Sequence, residues 1–452
     1  MYDLVVRNGR MVIPEGLSYC DLAVDEGVIV AVGSKLKGRK ELNADGLLVL
    51  PGVVDAHVHM ALPVRGDRSS DDFLSGSMAA AAGGVTSMVD FTVGSPRTDL
   101  VQDIDARLET AEPSVIDYGF HCEMVGWTPG RENEIPSAVE KGVTSFKFFT
   151  AYGDSGRRSD SGALYRCFSK IAETGAVAVV HAEDDDLIRS LTAELSDDEK
   201  SSMTALARTR PDICEGAAID QAAFYGEVTG ASVHVVHVSS ALGASRIEAA
   251  RMRGLDITAE TCPQYLYLTD QVYRREDGHL YSASPALRGE DDGEYLWGCL
   301  GYGALDFVAT DHCPFTSEQK AWKGSFSDLP YGLPGVETSL PLIYSGGVAT
   351  GRIPLETLPV IMSQAPAERY GLKNKGRLAP GYDGDLVLFD PEARWTARAE
   401  DLHMKVDFSP YEGMEIQGRV ITTVARGEII YSEGRHLCEP GRGKYLFRNT
   451  RD

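Results

Sequence analysis

No run in this 452-residue chain is long and apolar enough to span a bilayer. Its first residues, MYDLVVRNGR, lack the basic-then-apolar layout of a secretory signal. No G-x-G-x-x-G or G-x-x-x-x-G-K-[S/T] follows an early strand-like segment, which weakens a nucleotide-binding reading. Basic residues are in the minority, with 44 Lys and Arg against 67 Asp and Glu and a formal net charge of −23. A nucleic-acid partner needs a basic face and an anionic membrane needs a polybasic anchor, so neither is expected. The eight cysteines (Cys20, Cys122, Cys167, Cys214, Cys262, Cys299, Cys313 and Cys438) are scattered, with no C-x-x-C pair. In a chain this long that pattern fits reduced thiols rather than a disulfide framework. Low-complexity segments, charge blocks and internal repeats are missing too. The composition, 43% hydrophobic and 25% charged, is that of a soluble globular protein, and the cytoplasm is the expected location.

What is present changes texture along the chain. Residues 1–50 read as short strands broken by turns (YDLVVRNGRMVI, CDLAVDEGVIVAVG, GLLVLPG). Residues 376–452 read the same way (GDLVLFDPEARWTA, GRVITTVARGEIIY), so the two ends are expected to meet in one small β domain. Between them, in residues 51–375, short apolar runs alternate with helix-like stretches. GGVTSMVDF follows FLSGSMAAAA, GAVAVVHAE follows GALYRCFSKIAET, and ASVHVVHVS follows AIDQAAFYGEVT. About 300 residues of strand–helix alternation predict a parallel α/β fold, with a closed eight-fold barrel ahead of an open sheet.

The residues with chemistry stand where barrel strands end. PGVVDAHVHM spaces Asp55, His57 and His59 by two, so in a strand they share a face. Two imidazoles there make half a metal site or a pair of satisfied histidines. VAVVHAEDD puts His181 directly after an apolar run. SVHVVHVSS offers His234 and His237, three apart and therefore on opposite faces of a strand. The strand-end position favours His237 for the barrel interior and leaves His234 for the helix layer. FVATDHCPF ends on Asp311, a ligand, a general base or a helix cap. GVTSFKFFTAY sets Lys147 among Phe146, Phe148 and Phe149. A snorkelling stem is one explanation. The other is a burial-neutralised amine that has taken up carbon dioxide, giving a two-oxygen anion able to bridge paired cations about 3.5–4 Å apart.

These stretches, with DDFLSGSMAAAAGGVTSMVDF, ETCPQYLYL, SPALR, PGVETSLPLIYSGGVATGRI and GRLAPGYDGDLVLFDP, resemble the dihydropyrimidinase/hydantoinase group of cyclic amidohydrolases. The matches run in order through nearly the whole chain. The resemblance implies a distorted (β/α)8 TIM barrel flanked by a β-sandwich built from both chain ends. It implies two divalent metal ions, usually zinc, with His57 and His59 on one, His181 and His237 on the other, and N6-carboxylated Lys147 between them. Asp311 would bind the first metal and act as the base. Tyr152 would support the oxyanion, and Ser284 with the YGLPGVE loop would hold the ring amide. Two positions depart: Tyr331 stands where the group usually has Asn, and Ala286 where it usually has a second Pro.

The implied reaction is attack of a metal-bridging hydroxide on a cyclic amide, opening a small ureide or imide ring to an N-carbamoyl amino acid. Ala61 stands where dihydroorotase-like members usually carry Arg, which weakens that substrate. Leu62, Val64 and Phe149 either wall a pocket for a ring substituent or are ordinary core. Arg65 and Arg68 read as solvated loop charges more than as partners of a polar substituent. A 5-substituted hydantoin or dihydropyrimidine is therefore expected, with allantoin as the alternative and a non-catalytic interaction homologue as the reading from a different class. Homotetramers are common in the group, and the closing GRGKYLF segment is expected to reach toward a neighbour.

Overall fold

The computed structural model describes residues 1–64 and 66–450. Eight parallel strands run Val53–Val58, Val85–Phe91, Asp117–Glu123, Ser145–Phe149, Val177–His181, Ser232–Val235, Ile257–Thr261 and Phe307–Val308, each paired with the next. Helices such as Phe73–Ala82, Leu100–Ala111, Ser161–Thr174, Ala241–Met252 and Glu290–Tyr302 fill the crossovers that parallel strands require. Their ends are written in the sequence. Asp72, Asp99, Asp160 and Ser240 accept an N-terminal backbone N–H of the helix that follows. Gly175 and Gly303 close helices in the left-handed conformation.

Strand alternation sorts the side chains. In Ser145–Phe149, Phe146 and Phe148 join the core under the helices, where Phe148 meets Phe168 at 5.3 Å. Lys147 points the other way, into the barrel. The floor of the barrel is filled by Val54, Val89, Val179, Phe307 and Tyr370. The eight strands do not close through a regular ladder, because the last is only two residues long. A single bridge, Val58 to His312, spans the gap. Asp55 reinforces it, accepting from Thr310 N at 3.1 Å and from Thr310 Oγ1 at 2.6 Å.

Both chain ends form one hydrogen-bonded nine-stranded sheet, separate from the barrel, as their shared texture predicts. The join is Leu48–Pro51, antiparallel to Leu386–Phe389. The sheet covers its own core of Leu4, Val6, Leu22, Ile29, Val49 and Leu388. A polar knot ties it to the barrel. Buried Lys375 reaches Asp117 at the start of the third barrel strand at 2.7 Å, Asp383 at 2.7 Å and Asp385 at 2.8 Å. The closing segment does not extend away from the molecule. Tyr118 N donates to Lys444 O, Leu446 N donates back to Tyr118 O, and the buried Arg448 guanidinium enters the barrel base to meet Ser145 Oγ and Phe120 O. Burial of that guanidinium beside two acceptors holds the tail on its own chain. Among the described residues no helix is long and apolar enough to cross a membrane.

Replacing Lys375 by Met would leave Asp383 and Asp385 without their ion-pair partner and Asp117 with Arg426 alone. The expected cost is about 3–5 kcal/mol of unfolding free energy. It should be read as a lower urea midpoint at unchanged slope.

Candidate active site

The barrel seam assembles the first group. His57 is the next-to-last residue of the first strand and His59 follows its end, while Asp311 lies just past the eighth. His57 Nε2 and His59 Nε2 are 3.2 Å apart, and each is 3.2 Å from Asp311 Oδ1. Glu260, from the seventh strand, meets His57 Nδ1, which directs the Nε2 lone pair toward the other two atoms. Asp311 sits at φ 51°, in the left-handed region, a strain of about 1–3 kcal/mol for a non-glycine residue.

The second group lies beside it. His181 Nδ1 and His237 Nε2 are 2.9 Å apart, and the His57 and His237 rings are 5.5 Å apart. Lys147 is 1% exposed and lies 4.9 Å from the Phe91 ring centre and 5.3 Å from that of Phe149. No carboxylate among the described residues forms an ion pair with it. Burial pulls its ammonium down to about 8, against the distant pull of Asp311 and Glu260.

A cavity of about 640 Å³ opens above both groups. Tyr152, at φ 66°, stands on one wall and donates to Ser284 Oγ at 2.5 Å. Ser284 Oγ also receives Arg210 at 3.1 Å and donates to Glu183 Oε2 at 3.0 Å. Arg210 pairs with Glu183 at 2.5 Å and lies 5.3 Å from the Tyr152 ring and 5.6 Å from the Tyr331 ring. Burial alone would raise the Glu183 carboxyl, but Arg210 and His181 bring it down to about 2. Burial pushes the Tyr152 phenol up to about 12, so it stays a hydrogen-bond donor. Lys320 donates to Ser282 O and Oγ and to Pro330 O, tying the segment before Ser284 to the one before Tyr331. Leu62, Val64 and Phe149 also line the cavity, the Phe149 ring lying 5.9 Å from that of Tyr152.

The donor set fits divalent cations. Zinc–nitrogen bonds of about 2.0–2.1 Å place adjacent tetrahedral ligand atoms about 3.3 Å apart, close to the spacings of both groups. Among the described residues, His59 Nδ1 and His237 Nδ1 are buried with no hydrogen-bond partner, so unlike His57 neither ring is anchored from its far nitrogen.

The amidohydrolase family model matches residues 48–430. The chain belongs to the amidohydrolase family. This amidohydrolase is 37% identical to the D-hydantoinase of Geobacillus stearothermophilus, across 98% of the chain and 96% of that relative. It is also 37% identical to the D-phenylhydantoinase of Escherichia coli O1:K1, across 98% of each. The crystal structure of dihydropyrimidinase from Brevibacillus agri superposes with a TM-score of 0.96 at 35% identity, covering 99% of this chain and 98% of that one.

Two expectations need correction. His234 does not face the helix layer; it lies inside the barrel, bonded to Glu260 at 3.2 Å and stacked on Phe307 at 4.9 Å. Strict alternation fails because the strand stops at Val235 and His237 turns at φ 42°, so both histidines enter the interior. Phe146 and Phe148 do not surround the Lys147 amine; Phe91, from the second strand, takes that place with Phe149. Arg65 lies outside the described residues, and Arg68 is exposed. Glu183, Arg210 and Glu260 were not singled out from the sequence. Only the closeness of Glu183 to His181 in HAE gives a signal; Arg210 stands just past the short helix Thr204–Thr209.

In this amidohydrolase, Glu260→Gln weakens the anchor of His57 and leaves the fold's core intact. Divalent-cation affinity should fall about 10–100-fold. Competition with a chromophoric chelator measures it.

Proposed function

We propose that this amidohydrolase opens the ring of a 5-substituted hydantoin or a dihydropyrimidine at a cyclic amide bond, giving an N-carbamoyl amino acid. The observation that carries the reading is the convergence of His57, His59, Asp311, His181, His237 and Lys147 on one cavity floor, with Tyr152 and Ser284 on its wall. The names of the relatives favour hydantoins and dihydropyrimidines over allantoin. All the residues expected of the reaction are present, which argues against a non-catalytic homologue.

His57, His59 and Asp311 would hold one divalent ion and His181 and His237 the other, zinc being the ion their nitrogen and oxygen donors suit. Lys147 would bridge them after its neutral amine adds carbon dioxide and loses one proton. Burial without an ion pair supports that role, because an ammonium has no lone pair to react. Bound there, the cations supply Lewis acidity and make water nucleophilic at neutral pH.

The chain's own groups do the rest. Asp311 accepts a proton from the attacking water. The water oxygen bonds to the carbonyl carbon, and the Tyr152 hydroxyl donates to the oxygen on which charge develops. Glu183 and Arg210 keep Ser284 and Tyr152 in register. Backbone groups around Ser284 and Tyr331 hold the ring amide, so the Tyr331 side chain is free to differ from Asn. The C–N bond breaks and Asp311 passes its proton to the departing nitrogen. The eight cysteines are free, which supports a cytoplasmic enzyme. Family resemblance supports a homotetramer.

Zinc-reconstituted enzyme in bicarbonate should hydrolyse a hydantoin or dihydrouracil, with allantoin and dihydroorotate as comparison rings. Lys147→Ala should lose both metals and on the order of a thousandfold or more in kcat/KM. Native mass spectrometry should show one added carboxyl group in the wild type and none in the variant. Turnover of allantoin alone would overturn the substrate assignment, and a wild type that binds no metal would overturn the mechanism.

A further inference from the structure

One cationic side chain on the cavity wall has no part in this reaction. Arg157 follows the Tyr152 turn, its backbone N–H donating to Tyr152 O at 3.2 Å. Its guanidinium lies 5.4 Å from the centre of the Phe149 ring, the ring that also faces Lys147. One N–H donates to Glu123 Oε1 at 3.0 Å. Glu123 has no exposed surface and ends the third strand in register with Lys147. Its second oxygen accepts Gly94 N at 3.3 Å. A carboxylate buried at that depth is strongly unfavourable without a cation, and Arg157 is its only ion-pair partner among the described residues. Glu123 thus pins a flexible side chain in one place.

The other cations of the cavity wall are placed differently. Arg210 is buried against Glu183, while Arg189 and Lys200 approach Asp154, Asp185 and Asp197 only at 3.8–4.0 Å, too far for a hydrogen bond that would hold them in one position. Arg157 differs. Its side chain keeps 26% exposure, and among the described residues its remaining guanidinium N–H groups have no protein acceptor. Phe149 lies against it, and Leu62, Val64 and Leu329 line the same cavity. A ring amide placed at Asp311 and Tyr152 leaves that wall for the ring substituent. The chain's net charge of −23 repels anions at long range, but salt screens that field beyond about 8–10 Å. A contact pair is not screened in this way.

We propose that Arg157, pinned by Glu123, determines specificity by pairing with a carboxylate on the ring substituent. This rests on the ring-opening reading and narrows its substrate class to rings with an anionic side arm. A planar guanidinium with spare donors suits a carboxylate better than a neutral amide. Water would enter and the C–N bond break as before, so the product is an N-carbamoyl acid with a second carboxylate.

The test compares two hydantoins of nearly equal shape, with a 2-carboxyethyl and a 2-carbamoylethyl arm at position 5. Taking the ratio of their kcat/KM values cancels any loss common to both. Wild type should prefer the carboxylate by at least about tenfold, and Arg157→Leu should bring the ratio to near one. Arg157→Lys should keep part of the preference, and added salt should reduce it in the wild type. Because Arg157→Leu strands Glu123, the double variant E123Q/R157L repeats the measurement without a buried unpaired charge. A wild-type ratio near one, or a ratio that neither variant changes, overturns the inference while leaving ring opening intact. Failure to open any ring, unsubstituted hydantoin and dihydrouracil included, overturns the underlying reading and this inference with it.

Discussion

The barrel depends on one buried carboxylate at its seam. Asp55 takes both Thr310 donors and the His57 backbone N–H. Burial raises it to about 6, with those hydrogen bonds pulling the other way. Strand pairing alone is weak here, since a two-residue strand offers little ladder. Yet the seam is where residues from opposite ends of the barrel must meet within hydrogen-bond distance. His57 and His59 stand on one side and Asp311 on the other, some 250 positions apart in the chain. The left-handed turn at Asp311 is held in the same place. Closure and chemistry are therefore one arrangement, and the strain is stored where the carboxylate fastens the two edges.

Three buried lysines show how surroundings decide what an amine can do. Lys375 has three carboxylates within 2.8 Å; burial opposes its charge, but the carboxylates win and raise its pKa. Lys320 has only carbonyl and hydroxyl acceptors, and burial lowers it to about 7. Lys147 has aromatic rings on two sides and no ion pair, and burial lowers it to about 8. The first is a structural cation and the second ties two loop segments together. The third has no ion pair among the described residues and stands beside the candidate metal ligands, the placement on which the proposed carboxylation rests.

Much of this was legible in the residues. Strand ends could be found from apolar runs, and a parallel barrel gathers those ends, so His57, His59, Lys147, His181, His237 and Asp311 could be grouped without coordinates. The rule of alternation carried Phe146 and Phe148 away from Lys147 but failed at His234, where the chain leaves the strand and turns. What could not be read was which charges are buried. Glu183, Arg210 and Glu260 look like ordinary surface residues in the sequence, and only tertiary packing pairs them. Tyr331, unusual as a replacement for Asn, lies against the Arg210 guanidinium, a contact between segments more than a hundred residues apart.

The C-terminal tail sets an order of events during synthesis. Arg448 enters the base of the barrel, and the strand beside Leu48–Pro51 comes from beyond residue 385. A ribosome making this chain vectorially must therefore pass Leu386–Phe389 before Leu48–Pro51 has that partner, and pass Arg448 before Ser145 and Phe120 have its guanidinium. Until then the emerging (β/α) units carry an open lower end and an unpaired sheet edge, both surfaces that attract wrong partners. The same long-range pairing that joins distant parts of the chain leaves the nascent units exposed until those later partners are made.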